Sequence, residues 1–412
     1  MENVTHSLAG LLLAEAAVRL RARTTGTEPS ARFRTVAAVS SLVAANLPDA
    51  DLFYTGVGGD RLAYMLHHRG YTHTVVVALA GALLAWGAAW LVWRRRAHAP
   101  PPRADARWLL GLLLVSTLGH LVLDWTNSYG VHPFWPVDDR WRYGDAVFIV
   151  EPWFWVVAVP PLVAASPRRL SRALLSLLLA IGLVLAWRVS HVTTGAAVAL
   201  TAGALLSIGL ARALRPGPRA AVAVGGWIAV TLALATGARA ARAAVTREVR
   251  AAAPAADLLD VVVTPLPSNA VCARVIAVER ERETYRVVTG RASAVPRLAP
   301  AARCGDADDA GPRFGTPTRP SSPAVQWDAE WTAPAAELAT LARASCPALA
   351  ALRFIRVPAW RALPDSTVLL GDVRYGDLSG RGFTDVTVPR RSAACPAAVP
   401  PWVPPRAELL GE

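Results

Sequence analysis

The chain contains no lysine, so all 43 of its basic side chains are arginine. With alanine also abundant, this reads as a compositional bias rather than a specialised arginine surface. Cysteine is missing from the first 271 residues, and Cys272, Cys304, Cys346 and Cys395 all lie beyond them. No Cys-x-x-Cys pair occurs among them, which argues against a structural zinc site in that region. No RNA- or DNA-binding motif and no internal repeat is present, so the net charge of +13 is not read as affinity for nucleic acid. Residues 1–5 carry no basic n-region, and basic residues follow the first apolar run in place of a cleavage site. The expectation is an uncleaved first helix with its N-terminus outside.

What is present divides the chain in two. The mean hydropathy of +0.33 averages a strongly apolar part with a polar one. Residues 1–250 hold 25 arginines against 13 acidic groups, whereas residues 251–412 hold 18 against 17, so the excess charge belongs to the apolar part. Six runs approach the ~20 residues that a bilayer core requires, at 75–93, 108–125, 148–165, 170–187, 193–210 and 220–236. Two shorter runs, 7–20 and 35–47, fit tilted, re-entrant or partly buried helices. The fold expected is an α-helical integral membrane domain of about eight helices over residues 1–240, the first two short. A small α+β soluble domain follows over residues 241–412.

Arginine placement gives the orientation. Sixteen arginines, in the groups Arg19 to Arg34, Arg94 to Arg107, Arg168 to Arg172 and Arg212 to Arg219, lie in or beside alternate loops. Only Arg61, Arg69, Arg140, Arg142 and Arg188 lie in the opposite ones. The positive-inside rule puts the first set in the cytoplasm and both chain ends outside, with Arg239 to Arg250 running against it. Four widely spaced cysteines in the outer part allow two disulfides in an oxidising compartment; four reduced buried thiols are the alternative. In that part, "ARVIAVE" and "TYRVVTG" flank the charged turn "RERE" as a hairpin. "AAELATLARA" has helical character, "FIRV" and "TVLLGDVRY" read as strands, and residues 296–323 read as a Pro/Gly/Asp-rich loop.

On this topology the ionisable residues converge. His6 begins the first helix, and Asp49 and Asp51 follow the second in "NLPDADLF". His67, His68 and His73 precede the third in "HHRGYTH", and His120 and Asp124 share one face of the fourth at i and i+4. Four segments thus bring histidine and aspartate to the same membrane face. Imidazole nitrogen and carboxylate oxygen suit Zn²⁺, Mn²⁺ or Fe²⁺, and this many ligands allows one ion or two. Each element alone has a plainer reading: a helical ion pair, a capped turn at "PDAD", an interfacial loop at "HHRGYTH".

"NLPDAD", "HRGYTH" and "GHLVLDWTNSYGVHPFWP", together with His6, resemble the membrane-bound metal-dependent hydrolases (the YdjM-like inner-membrane group), best over residues 1–165. The resemblance implies a multi-pass protein of a bacterial inner membrane, and the arginine and cysteine distributions put its C-terminal domain in the periplasm. It implies a divalent metal, zinc foremost and manganese or iron as alternatives, held by His6, Asp49, His68, His73, His120 and Asp124. Asp51 or Glu151, the latter standing where the family commonly has aspartate, is the candidate general base. Arg69 is a candidate grip on a phosphate or carboxylate, or else a structural partner of Asp49 or Asp51. His67 and His132 fall outside the pattern. The reaction expected is hydrolysis of a membrane-lipid or lipid-linked ester or phosphodiester. A metal- or proton-coupled transporter and a scaffold with a structural metal are the non-hydrolase alternatives.

Overall fold

The computed structural model describes residues 1–55, 60–305 and 314–411. Helix α1 (Asn3–Thr25) starts behind Glu2, whose carboxylate accepts from the Thr5 N–H at 2.6 Å, and stops at Gly26 in the left-handed region. At 23 residues it outruns the apolar stretch 7–20. Arg19, Arg21 and Arg23 interrupt hydropathy but favour helix, and Arg19 and Arg21 pair with Glu15 and Asp105. Helix α2 (Ala31–Ala44) is short, as its apolar run suggests. It ends before Pro48, which has no N–H to donate and whose ring would clash with the carbonyl four residues back. The chain continues through a 3₁₀ turn (Pro48–Asp51) into the single turn α3 (Leu52–Thr55), bent 52° away from α2. A side chain on Gly10 would come within 2.8 Å of the Ser41 carbonyl, so glycine there is what lets α1 and α2 approach.

Helix α4 (Arg61–His67) and a 3₁₀ turn (Tyr71–His73) lead into the long pair α5 (Val75–Ala97) and α6 (Arg103–Trp125). Helices α7 (Pro152–Ala165), α8 (Arg169–Arg188), α9 (Thr194–Ala213) and α10 (Pro216–Ala252) complete the bundle. Five of these helices, α5, α6, α8, α9 and α10, are long and apolar enough to cross a membrane, and the bent pair α2–α3 passes the same test when counted as one broken span. The stretch expected to span from residue 148 is helical only from Pro152, because Glu151 caps the helix and proline occupies its first turn.

Helix α10 runs 37 residues, well past the apolar stretch ending at 236, and the boundary drawn at 240/241 falls inside it. Its last four turns place Ala238, Ala241, Ala244, Val245 and Val249 against Val261, Val263, Val275 and Val288 of the sheet that follows. That sheet is an antiparallel meander of β1 (Asp257–Pro265), β2 (Cys272–Glu281), β3 (Thr284–Ser293) and β4 (Val325–Pro334). The hairpin expected around "RERE" is present as β2–β3, closing at Glu281 opposite Thr284 with Arg282 left-handed. Helix α11 (Ala335–Ala344) matches its predicted segment. After α12 (Cys346–Leu352), a second sheet joins β5 (Pro358–Ala362), β6 (Thr367–Asp372) and β7 (Val386–Pro389). The strand expected at "FIRV" begins at Pro358, since Phe354 and Ile355 still bond back to Ala351. Disulfides Cys272–Cys304 and Cys346–Cys395 use all four cysteines.

Bundle and sheets meet over the end of α6. Arg356 donates to both oxygens of Asp145 at 2.8 and 2.9 Å and reaches Asp260 at 2.8 Å, while Arg242 also pairs with Asp145. Arg242, one of the arginines that ran against the orientation rule, therefore has counter-charges inside the protein. Trp402 near the C-terminus is buried, donates to the Leu66 carbonyl at 3.1 Å and stacks on His132 at 3.9 Å.

Candidate metal centre

The break at Pro48 turns the chain into the 3₁₀ segment that carries Asp49 and Asp51, both buried. The "HHRGYTH" segment comes from the other side. Arg69 adopts φ 59°, and Gly70 lies where a side chain would meet the His67 carbonyl at 2.9 Å and Trp402 at 3.4 Å. His120 and Asp124 complete the site from the last two turns of α6, and His6 enters from the first turn of α1.

Asp49, His73, His120 and Asp124, all buried, each offer one ligand atom within 4.8 Å of the others. The Nε2 atoms of His73 and His120 face each other at 3.1 Å. Asp124 Oδ2 stands 3.1 Å from His73 Nε2 and 3.3 Å from His120 Nε2, and Asp49 Oδ1 stands 3.3 and 3.6 Å from the same two atoms. Asp49, Asp51 and His68 form a second group of the same kind, so Asp49 belongs to both.

The outer nitrogens explain why the inner ones converge. His120 Nδ1 lies 2.7 Å from the Ala45 carbonyl, which can only accept, so Nδ1 donates there and Nε2 is the nitrogen turned toward the cluster. The Nδ1 atoms of His73 and His68 lie 3.4 and 3.1 Å from the two oxygens of Asp51. Asp51 Oδ2 also accepts from the Arg69 N–H at 2.9 Å and the Thr72 hydroxyl at 3.0 Å. A carboxylate that orients two histidines from behind is the common outer support of metal ligands.

Charge shows what the cluster lacks. Asp124 Oδ1 is held by Arg69 at 2.8 Å, by the Met1 amino group and by His6 Nε2 at 3.3 Å. Its Oδ2 has no hydrogen-bond partner among the described residues, and His6 Nδ1 has none either. Burial opposes a charge on His73, yet Asp124, Asp49 and Asp51 around it raise its imidazole to about 10. The carboxylates around His73 thus favour positive charge at this place. An orphaned carboxylate oxygen, two facing imidazole nitrogens and a second carboxylate fit a divalent ion by donor type and charge.

Of the residues proposed as ligands, Asp49, His73, His120 and Asp124 meet in the first group and His68 in the second. His6 stacks on His120 at 3.7 Å and touches Asp124 without joining either group. Arg69 is 2% exposed and pairs with Asp124, not with Asp49 or Asp51. It also donates to Asn127 at 3.0 Å and lies over Tyr129 at 4.8 Å, so its guanidinium is committed. Glu151 makes no contact with the cluster among the described residues. Its carboxylate accepts from the Trp153 and Ser268 N–H groups at 3.2 and 3.1 Å, and burial pushes it up to about 7. His132 is also remote, wedged between Trp141 and Trp402 with its Nδ1 3.3 Å from the Arg69 carbonyl, and burial lowers it to about 3. Sequence reasoning missed Asn127, the Ala45 carbonyl and Trp402. Asn127 stands in a stretch already singled out, but a backbone carbonyl and a tryptophan some 330 positions from Tyr71 leave no local signal.

No curated protein and no solved structure matches the chain. With five apolar helices of spanning length among the described residues, the chain is a membrane protein. Residues 1–190, which supply every member of the cluster, match the model of the family described as YdjM inner membrane protein.

Proposed function

We propose that the cluster is a divalent metal centre serving hydrolysis of a membrane-lipid or lipid-linked ester or phosphodiester. The observation that carries this is the convergence of Asp49, His73, His120 and Asp124 within 4.8 Å, with the outer nitrogens of both histidines fixed. Asp49, His73, His120 and Asp124 would hold one ion; Asp51 and His68, sharing Asp49, would serve a second. A divalent ion bound there supplies Lewis acidity toward an ester or phosphoryl oxygen and toward water. Zinc suits the mixed nitrogen and oxygen donors, with manganese or iron as alternatives.

The protein's own residues divide the remaining work. Asp51 sets the direction of His68 and His73, and Arg69 balances Asp124 so that a carboxylate persists in a buried place. Asp51 has its oxygens turned to four neighbours and Glu151 caps α7, which favours orientation over proton abstraction for both. The site lies at the end of the bundle covered by the sheet-containing domain. The two disulfides and the arginine asymmetry of the loops support placing that domain on the periplasmic side. Alkylation of intact cells by a membrane-impermeant maleimide, before and after an impermeant reductant, tests this. Labelling of the cysteines only after reduction is expected; no labelling of intact cells under either condition, with labelling after lysis without reductant, would place them in the reducing cytoplasm.

The burial of every ligand favours one second reading, a structural metal in a non-enzymatic membrane protein. Elemental mass spectrometry on detergent-purified protein decides first whether an ion is there. One or two equivalents in the wild type, lost in His120→Ala and Asp124→Ala, are expected, and no metal in well-folded wild type would remove both readings. Turnover of phospholipid or phosphodiester substrates by the loaded protein, absent from those variants, separates the hydrolase from the structural reading.

A further inference from the structure

At the arginine-rich end of the bundle, away from the metal centre, the hairpin α1–α2 and the hairpin α7–α8 leave a cleft of about 590 Å³. Its walls are apolar, with Leu11 of α1, Val39 of α2, Leu162 of α7 and Leu174 of α8 among them. Leu174 and Val39 are both more than half exposed, so the cleft opens where lipid chains would surround the helices. At its polar end stand Arg34 and Arg168.

The charges at that end are unbalanced. Glu15 also lines the cleft but is neutralised by Arg19 at 2.7 Å. Arg34 pairs with Glu28, a largely exposed side chain that competes with water. Arg168 has no acidic partner among the described residues. It is also the N-cap of the 20-residue helix α8 and makes no side-chain capping bond, so the first N–H groups of that helix remain open beside it. Two guanidinium groups and an open helix start thus sit at the mouth of an apolar slot between membrane helices. Basic pockets of this kind between transmembrane helices take anionic lipid headgroups, with the acyl chains held by the walls.

We infer that this cleft holds an anionic phospholipid, its phosphate on Arg34, Arg168 and the start of α8, and an acyl chain between α2 and α8. The site shares no residue with the metal cluster and stands independently of the function proposed there.

Native mass spectrometry of the full chain, released from mixed micelles of phosphatidylglycerol and phosphatidylcholine, tests it. Retention of one phosphatidylglycerol with a preference on the order of tenfold over phosphatidylcholine is expected. Arg34→Glu with Arg168→Glu should abolish the preference. Ala38→Trp, which keeps both arginines but fills the slot, should displace the lipid and covers the case in which the charge-reversed protein fails to fold. Equal retention of the two lipids would overturn the inference, as would wild-type retention by folded Ala38→Trp. Displacement of the lipid by millimolar inorganic phosphate would overturn it too, assigning the arginines to free phosphate instead.

Discussion

Asp124 illustrates how a carboxylate can persist at the end of a membrane helix. It is fully buried, and Arg69 stands 2.8 Å away with Met1 and His6 beside it. Removing one member of a buried pair leaves the other charge without compensation, at a cost of about 3–5 kcal/mol. Asp124→Asn and Arg69→Met should therefore each destabilise the folded protein by about that much, measured by denaturant unfolding in detergent. The double variant should cost less than the sum of the two, and simple additivity would show that the pair is not coupled. Arg69→Lys keeps the charge but loses the fork that spans Asp124 and Asn127. Reduced stability with metal retained is the expected result for a residue that supports the site from outside its ligand set.

At the scale of elements, Glu151 joins α7 to the loop around Ser268. Its folded-state carboxyl is raised to about 7 from an ordinary 4.5, chiefly by burial. A raised carboxyl binds its proton more tightly in the folded chain than in the unfolded one. The stability this contributes is full below pH ~4.5 and declines as pH rises to ~7, by about 3 kcal/mol in all. Glu151→Gln has no proton to lose, so its stability should stay flat across that window, as followed by unfolding at stepped pH. An unchanged slope in the variant would assign the titration to another group. Helix α10 makes the same connection mechanically, one face of its last four turns serving as the floor of the four-stranded sheet.

The whole molecule is closed by its C-terminal segment. Trp402 stacks on His132, whose Nδ1 reaches the Arg69 carbonyl, and its indole holds the Leu66 carbonyl. Replacing it by alanine should cost about 3–5 kcal/mol through the cavity left behind. Hydrogen exchange should also quicken over residues 66–73, the segment carrying His68 and His73. Exchange confined to the C-terminal segment would mean that the roof and the cluster are independent. Because Arg356 links Asp145 of the bundle loop to Asp260 of β1, the domain is anchored a second time near the same place. Its position over the cluster is thus set by at least two buried contacts.

Hydropathy and motif spacing by themselves determined that a helical membrane part precedes a mixed α and β part. The same reading expected His6, Asp49, His68, His73, His120 and Asp124 at one place, where the structure gathers Asp49, His73, His120 and Asp124 in one group, His68 in a second that shares Asp49, and His6 beside them. These conclusions rest on short-range regularities: apolar runs of bilayer length, an i,i+4 pair on one face, a proline that must end a helix. The extent of α1 and α10 was not legible, because arginine and alanine extend a helix without adding hydropathy. Nor was the division of roles within the group. Only the tertiary structure decided that Arg69 answers Asp124, that Asp51 steadies two histidines, that Glu151 caps a helix, and that Trp402 closes the site. Each of those facts is a contact between segments far apart in the chain, fixed by the packing of buried charge and aromatic surface rather than by local pattern.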